Sequence, residues 1–196
     1  YTKFIHHADK SVRSIFGDAA AATLVIGEYN EKPSIGPFVY GTDGSGHQKL
    51  IVPVGGMRRP KENQIYIETK DGNGNIRTEE NLFMDGPAIF SFTIKIVPRT
   101  VNQLLRKSNL SIDKIDFFIF HQANKFMLDY LRKKIKVPED KFIISMSDVG
   151  NTVSSTIPIA FKNKIDDGTI KPGSKILLFG FGVGYSWGAT LLEWNG

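Results

Sequence analysis

Apolar positions from residue 85 onward switch between helical spacing and short continuous runs. Asp85-Gly86-Pro87 sets a cap and a first-turn proline before AIFSFTIKIV (88–97). Pro98 then either kinks that helix or opens a second one, RTVNQLLRKSN (99–109). The run IDFFIF (115–120) reads as a buried strand. NKFMLDYLRKKIK (124–136) reads as an amphipathic helix with Phe126, Leu128, Leu131 and Ile135 on one side, ending before Val137-Pro138. KFIIS (141–145) is a second strand, and the turn Asp148-Val149-Gly150-Asn151 leads to helix SSTIPIAFKNKIDD (154–167), stopped by Gly168. KILLFGF (175–181) and YSWGATLLEW (185–194) close the chain as two strands joined through Gly182-Val183-Gly184.

The first 80 residues are less regular. AAATLVIG (20–27) reads as a buried strand entered through a Gly17-Asp18 turn, with Asp18 as a turn and capping residue. Residues 41–60, rich in glycine and holding two prolines, read as a loop around a short apolar patch. IYIE (65–68) and NIRTE (75–79) flank DGNG (71–74), a hairpin signal. Helices alternating with strands over the second half predict an α/β fold, a layered sheet covered by helices. In such folds polar groups for ligands gather at the carboxyl ends of strands, which here means HQAN (121–124), DVGNT (148–152) and GFGVG (180–184).

Composition narrows the chemistry. The chain has 196 residues, 41% of them apolar, enough for a sizeable core. Its net charge of +5 is too small to suggest a nucleic-acid-binding arm, and no aromatic residues interleave with the basic run Arg132, Lys133, Lys134 and Lys136. That run reads first as a solvated helix face, with an acidic protein partner as the alternative. There is no cysteine, and the histidines at 6, 7, 47 and 121 lack ligand spacing, so no metal centre is expected. No apolar stretch is long enough for a membrane helix and no signal peptide is apparent, so the expected location is the cytoplasm. The first residue is Tyr1, not Met, and the expectation is a fragment.

Two nucleotide or hydrolase motifs fail on inspection. GFGVGYSWG lacks the third glycine of GxGxxG and precedes a strand, so the helix dipole that would hold phosphate is missing. DGSGH (43–47) has Asp43 where a GxSxG elbow needs glycine. Singly, His121 reads as a structural histidine at a strand end, Asn124 as a helix cap and Asn151 as a turn or cap residue. Phe90, Phe181 and Tyr185 read as core or pocket wall.

Taken together the motifs carry more. FGDAAAA (16–22), DGS, MDGPAIFSF (84–92), FHQAN, GNTVSST (150–156) and GFGVGYSWG occur in the order and approximate spacing of β-ketoacyl-acyl carrier protein synthase III, of the thiolase-like superfamily. The chain resembles that family from about Phe16 to Trp194. The resemblance implies a thiolase-like layered fold, with residues 1–34 as the tail of the N-terminal half and 35–196 as the C-terminal half. It implies a Cys-His-Asn triad in which His121 and Asn151 supply the last two members and the cysteine lies before Tyr1. It implies that Phe90, Asn124, Phe181, Gly182 and Val183 bind substrate, with weaker indications that Lys125, Arg132 and Lys133 contact the carrier. The implied activity joins an acyl group from acyl-coenzyme A to malonyl-acyl carrier protein with loss of carbon dioxide. It needs no cofactor, the coenzyme A thioester being a substrate, and is carried out by a homodimer of the full-length protein. The fragment alone is expected to be inactive. A thiolase-like acyltransferase without decarboxylation, and a non-catalytic carrier-binding subunit, remain the competing readings. Departures from the pattern stand at Phe126, where many members have arginine, at Val183 in a run that is often all glycine, and in FGDAAAA for FGDGAGA.

Overall fold

The computed structural model describes residues 1–27, 29 and 33–196. Its elements are α1 (Lys10–Arg13), β1 (Ile35–Thr42), β2 (Leu50–Ile51), β3 (Thr69–Lys70), β4 (Ile76–Arg77), β5 (Phe83–Met84), α2 (Gly86–Lys107), β6 (Phe117–Phe120), α3 (Lys125–Lys134), β7 (Phe142–Ile143), α4 (Thr156–Asp166), β8 (Lys175–Gly182) and β9 (Ser186–Glu193). Five strands form one mixed sheet in the order β1-β9-β8-β6-β7. β7, β6 and β8 run parallel, while β8–β9 and β9–β1 are antiparallel.

Alternation along the central strands builds three layers. Phe118 and Phe120 of β6 and Leu177 and Phe179 of β8 point to a core shared with α2 and α3. Ile119 and Ile176 point the other way, against Ala160 of α4. A period of two is what a pleated strand imposes, so a run that is apolar at every position must be covered on both faces.

Helix α2 begins where the sequence places it. Asp85 accepts the Ala88 N–H at 3.0 Å, satisfying one of the orphan donors of the first turn, and also receives Lys49 Nζ at 3.0 Å. Pro98 neither ends the helix nor starts another: α2 is continuous to Lys107. Loss of one hydrogen bond at Pro98 is outweighed by burial of Phe92, Val97, Val101, Leu104 and Leu105 along one side of the same helix.

Three other expectations change. Residues 20–27 form no strand and are exposed, with Leu24 at 87%, because no strand among the described residues lies beside them to pair with. Strand β1, not expected from the glycine and proline content around it, takes the edge position next to β9. Phe126 is 73% exposed while Met127, Leu128 and Leu131 carry the buried side of α3. Residues two apart on a helix point about 200° from each other, so Phe126 and Leu128 cannot share a face.

The hairpin at DGNG is present, but its strands are Thr69–Lys70 and Ile76–Arg77, and Ile65 and Ile67 lie outside it, exposed. Asp71 organises the turn by accepting the N–H groups of Asn73 and Asn75 and the Arg77 guanidinium, and these bonds, that of the Asn75 side chain foremost, bring its pKa down to about 2. Arg77 also donates from Nε to the fully buried Asp9 at 2.8 Å, tying this hairpin to the cap of α1. Removing one partner of a buried pair strands the other, so Arg77→Leu should lower stability by about 3 kcal/mol, read from the urea midpoint. A loss below about 1 kcal/mol would show that Asp9 finds water instead.

Candidate functional site

β6 and β8 lie side by side and point the same way, so the loops that follow them open at one edge of the sheet. His121 extends the pairing by one step, its backbone N–H donating to Phe179 O at 2.8 Å. The loop after β7 joins them there. The three loops line a cavity of about 1010 Å³, bordered by His121, Asn124, Asn151, Thr156, Phe181, Gly182 and Val183 together with Phe90, Met84, Phe126 and Trp187. None of its described lining residues is Asp, Glu, Lys or Arg.

The His121 side chain is half-buried against Phe181, the two rings meeting edge to face at 5.4 Å. Nδ1 lies 2.8 Å from Thr156 Oγ1. Loss of solvent lowers the ring's pKa to about 4, with the neighbouring Val153 carbonyl pulling weakly the other way. The imidazole is therefore neutral at physiological pH.

Asn151 is buried, and three contacts fix it. Its Oδ1 accepts the Val153 N–H at 2.9 Å. Its backbone N–H donates to Ile15 O at 2.9 Å and its carbonyl accepts from Gly17 N at 3.0 Å. With Oδ1 engaged, the amide NH₂ is the group left to face the cavity. The FGD segment thus acts as a short strand that grips the asparagine loop, through a parallel bridge between Phe16 and Asn151. Asp18 caps no helix; it turns back to accept the Thr2 N–H at 3.0 Å. Gly150 sits at φ +66, and Val153 at φ +59, a left-handed conformation that a β-branched residue adopts only under constraint.

Asn124 performs the capping its position suggests, accepting Met127 N–H at 2.8 Å, while also lining the cavity. Phe90 packs on Phe126 and Tyr130 at the rim, with ring centroids 5.7 and 5.2 Å apart. This contact explains why Phe126 is exposed: it belongs to the mouth of the cavity. Of the basic residues, Lys125 pairs with Asp129 at 2.7 Å, Lys133 is exposed, and Arg132 turns toward Val137 O and Glu139. None of these three lines the cavity.

Two residues inside the motifs were not assigned a role from sequence. Gln122 is fully buried; its Nε2 donates to Phe120 O at 2.6 Å and its Oε1 accepts Ser145 N–H at 2.8 Å, which pins the ends of β6 and β7 together. An uncharged amide in an otherwise apolar run was the available signal. Thr156 was hidden inside a helix pattern. The DGS loop is structural: Asp43 exchanges backbone hydrogen bonds with Tyr185, and a Cβ on Gly46 would fall 2.5 Å from the Tyr185 ring. That ring in turn stacks on Phe92 at 4.1 Å.

Comparison with known proteins bears on the fold that holds this site. Residues 105–194 match the model of the 3-oxoacyl-[acyl-carrier-protein] synthase III C-terminal domain. These residues carry that family's C-terminal domain. The chain is similar to a β-ketoacyl-[acyl-carrier-protein] synthase III of Acaryochloris marina, at 34% identity over 99% of the chain and 56% of the relative. It is also similar to one of Staphylococcus saprophyticus, at 32% identity over 99% of the chain and 54% of the relative. A crystal structure of a 3-oxoacyl-(acyl-carrier-protein) synthase III superposes with TM-score 0.96 at 48% identity, covering 99% of this chain and 58% of that one. The synthase III of Thermus thermophilus superposes at 0.78 with 28% identity, covering 100% of this chain and 56% of that one. The fold is the thiolase-like layered fold of these enzymes. The chain spans a little over half the length of the relatives it matches.

The grip of the FGD segment on the asparagine loop can be tested at Gly17. A Cβ there would fall 2.0 Å from the Val149 carbonyl oxygen, a backbone atom that cannot swing aside. Gly17→Ala should lower stability by about 1–3 kcal/mol in urea unfolding, the range of an overpacked site. Gly72→Ala, with open space at its Cβ, should change it by less than about 0.5 kcal/mol.

Proposed function

We propose that this chain is the C-terminal part of a condensing enzyme that joins an acyl group from acyl-coenzyme A to malonyl-acyl carrier protein, giving 3-oxoacyl-acyl carrier protein. The observation that carries the reading is the convergence of His121 and the Asn151 amide on one cavity whose described lining holds no charged side chain. In this reading residues 1–34 complete a first thiolase-like half, 35–196 form the second, and a cysteine of the longer protein supplies the nucleophile. The working unit is a cytoplasmic homodimer and needs no cofactor.

The chemistry follows from the surroundings. The cysteine thiolate attacks the acyl thioester, the acyl–sulfur bond to the enzyme forms as the bond to coenzyme A breaks, and coenzyme A leaves as its thiolate, which takes a proton from water. A malonyl thioester then enters, its carboxylate moving from water to a cavity whose described lining holds no cationic side chain. Breaking the bond to that carboxylate releases carbon dioxide and leaves the electron pair as an enolate, whose oxygen becomes the acceptor for the His121 N–H and the Asn151 NH₂. The enolate carbon attacks the acyl-enzyme carbonyl, a carbon–carbon bond forms, and the thiolate departs. Two neutral donors suit this sequence because neither must change charge. Phe90, Phe181, Gly182 and Val183 shape the acyl and pantetheine path in this proposal, and Asn124 holds the end of α3 against it. Lys125 and Lys133 stand on the face of α3 toward which an acidic carrier would approach.

In the full-length protein, His121→Ala and Asn151→Ala should each reduce release of carbon dioxide from malonyl-acyl carrier protein by about 10²–10³-fold, the usual effect of removing one oxyanion donor. Acyl transfer from acyl-coenzyme A to the enzyme, followed by mass spectrometry, should persist in both. Acylation without any release of carbon dioxide by the unsubstituted protein would favour a non-decarboxylating acyltransferase, and absence of acylation a carrier-binding subunit.

The pH dependence has a definite sign. The folded-state pKa of His121 lies below its ordinary 6.5, so the neutral donor persists as pH falls through 6.5 and is lost only toward pH 4. Decarboxylation should therefore stay level from pH 8 to about pH 5, measured in a buffer series. A half-maximal point near 6.5 would show that the ring is solvated in the working enzyme.

A further inference from the structure

Thr156 opens α4 and is buried. Its Oγ1 lies 2.8 Å from His121 Nδ1 and 2.9 Å from the Val153 carbonyl oxygen. A hydroxyl owns one hydrogen, so only one of these neighbours can receive it. A neutral imidazole also carries one ring proton, and its position depends on that choice. If Thr156 donates to Nδ1, the ring proton is on Nε2 and faces the cavity as a donor. If Thr156 donates to Val153, its oxygen accepts from Nδ1–H and Nε2 presents a lone pair.

We infer that Thr156 is a positioning residue that donates to His121 Nδ1 and thereby holds the ring with its proton on Nε2. The Val153 carbonyl already accepts the Thr156 backbone N–H, so it is satisfied without the hydroxyl. Nδ1, by contrast, faces two oxygens, the Val153 carbonyl and Thr156 Oγ1, and of the two only the hydroxyl can donate to it. The hydroxyl is fixed between them because Val153 is held at φ +59 by its own N–H bond to Asn151 Oδ1. One tight turn therefore serves both donors: it orients the Asn151 amide directly and selects the His121 tautomer through Thr156.

The catalytic consequence rests on the proposed condensation, since only an enolate needs N–H groups from both residues. Removing the hydroxyl leaves the Val153 carbonyl, which lies beside the ring, as the remaining acceptor on that side, and the proton should move to Nδ1. The donor toward the cavity would be lost although His121 itself is untouched.

The test uses full-length protein with ¹⁵N-labelled histidine rings, the His121 signals being assigned by their absence in His121→Ala. The unsubstituted protein should show an unprotonated Nδ1 and a protonated Nε2. Thr156→Val should shift the proton to Nδ1, and Thr156→Ser should restore the original tautomer. In parallel, kcat for release of carbon dioxide from malonyl-acyl carrier protein should fall about 10- to 100-fold in Thr156→Val, the scale typical of lost orienting bonds to a histidine. KM should change by less than about threefold, and Thr156→Ser should retain most of the rate. A ring protonated at Nδ1 in the unsubstituted protein overturns the inference without recourse to any variant, as does an unchanged tautomer in a folded Thr156→Val. The expected tautomers in a protein that releases no carbon dioxide would uphold the assignment and refute the condensing reading instead.

Discussion

Four aligned pairs, from Phe117 with Ile176 to Phe120 with Phe179, lock β6 parallel to β8, and the site depends on that register. Parallel neighbours end at the same edge of a sheet, so the chain must leave both strands in one place. His121 continues the ladder through its bond to Phe179, which fixes its backbone before its side chain has any role. A slip of one residue would turn His121 away from the cavity and drive the β6 phenylalanines into the smaller core that Ile119 and Ile176 form with α4. Burial of Phe118, Phe120 and Phe179 in the same core therefore enforces the position of the histidine.

The asparagine is placed by a different device. Its loop is not part of a ladder inside the sheet, so residues 15–17 from the far end of the chain provide one, giving and receiving hydrogen bonds with Asn151. The close approach leaves no room for a side chain at Gly17, and Gly150 needs the left-handed conformation beside it. Gln122 contributes the third restraint by joining the exits of β6 and β7. A histidine on a rigid strand and an asparagine in a clamped loop thus come to share one wall. The strain at Val153 is the local consequence of forcing a β-branched residue into the turn that links them.

How much of this could be read beforehand depends on the range of the interactions. Strands β6, β8 and β9 and helices α2, α3 and α4 were legible because continuous apolar runs, helical spacing and the caps at Asp85 and Gly168 are local signals. The strand expected at residues 20–27 failed for the opposite reason: Leu24, Val25 and Ile26 have the composition of a strand, but pairing is a property of neighbours. Strand β1 was missed because Gly36, Pro37 and Gly41 argue against a strand, and edge positions tolerate them. At the site, His121 and Asn151 were recognisable by motif and lie in one cavity, whereas Thr156 and Gln122 act through atoms that meet only after folding. Arg132 illustrates the converse, a charge that looks free in sequence and is occupied by Val137 and Glu139 in the structure.

The apolar lining sets two demands on the donors at once. Removing water strengthens a hydrogen bond to a developing oxyanion, because no solvent dipole competes for it. The same removal disfavours an imidazolium, which is why the His121 pKa falls to about 4. A site that gains strength by excluding water must therefore work with a neutral ring, and a neutral ring is a donor from only one of its nitrogens. Electrostatics alone cannot decide which one, since both tautomers are uncharged. The decision passes to the group bonded at the far nitrogen, and a buried hydroxyl 2.8 Å from Nδ1 is the group that the fold supplies. Burial thus makes the choice between the two tautomers depend on the groups that meet Nδ1, and Thr156 at the start of α4 is the one among them that can donate.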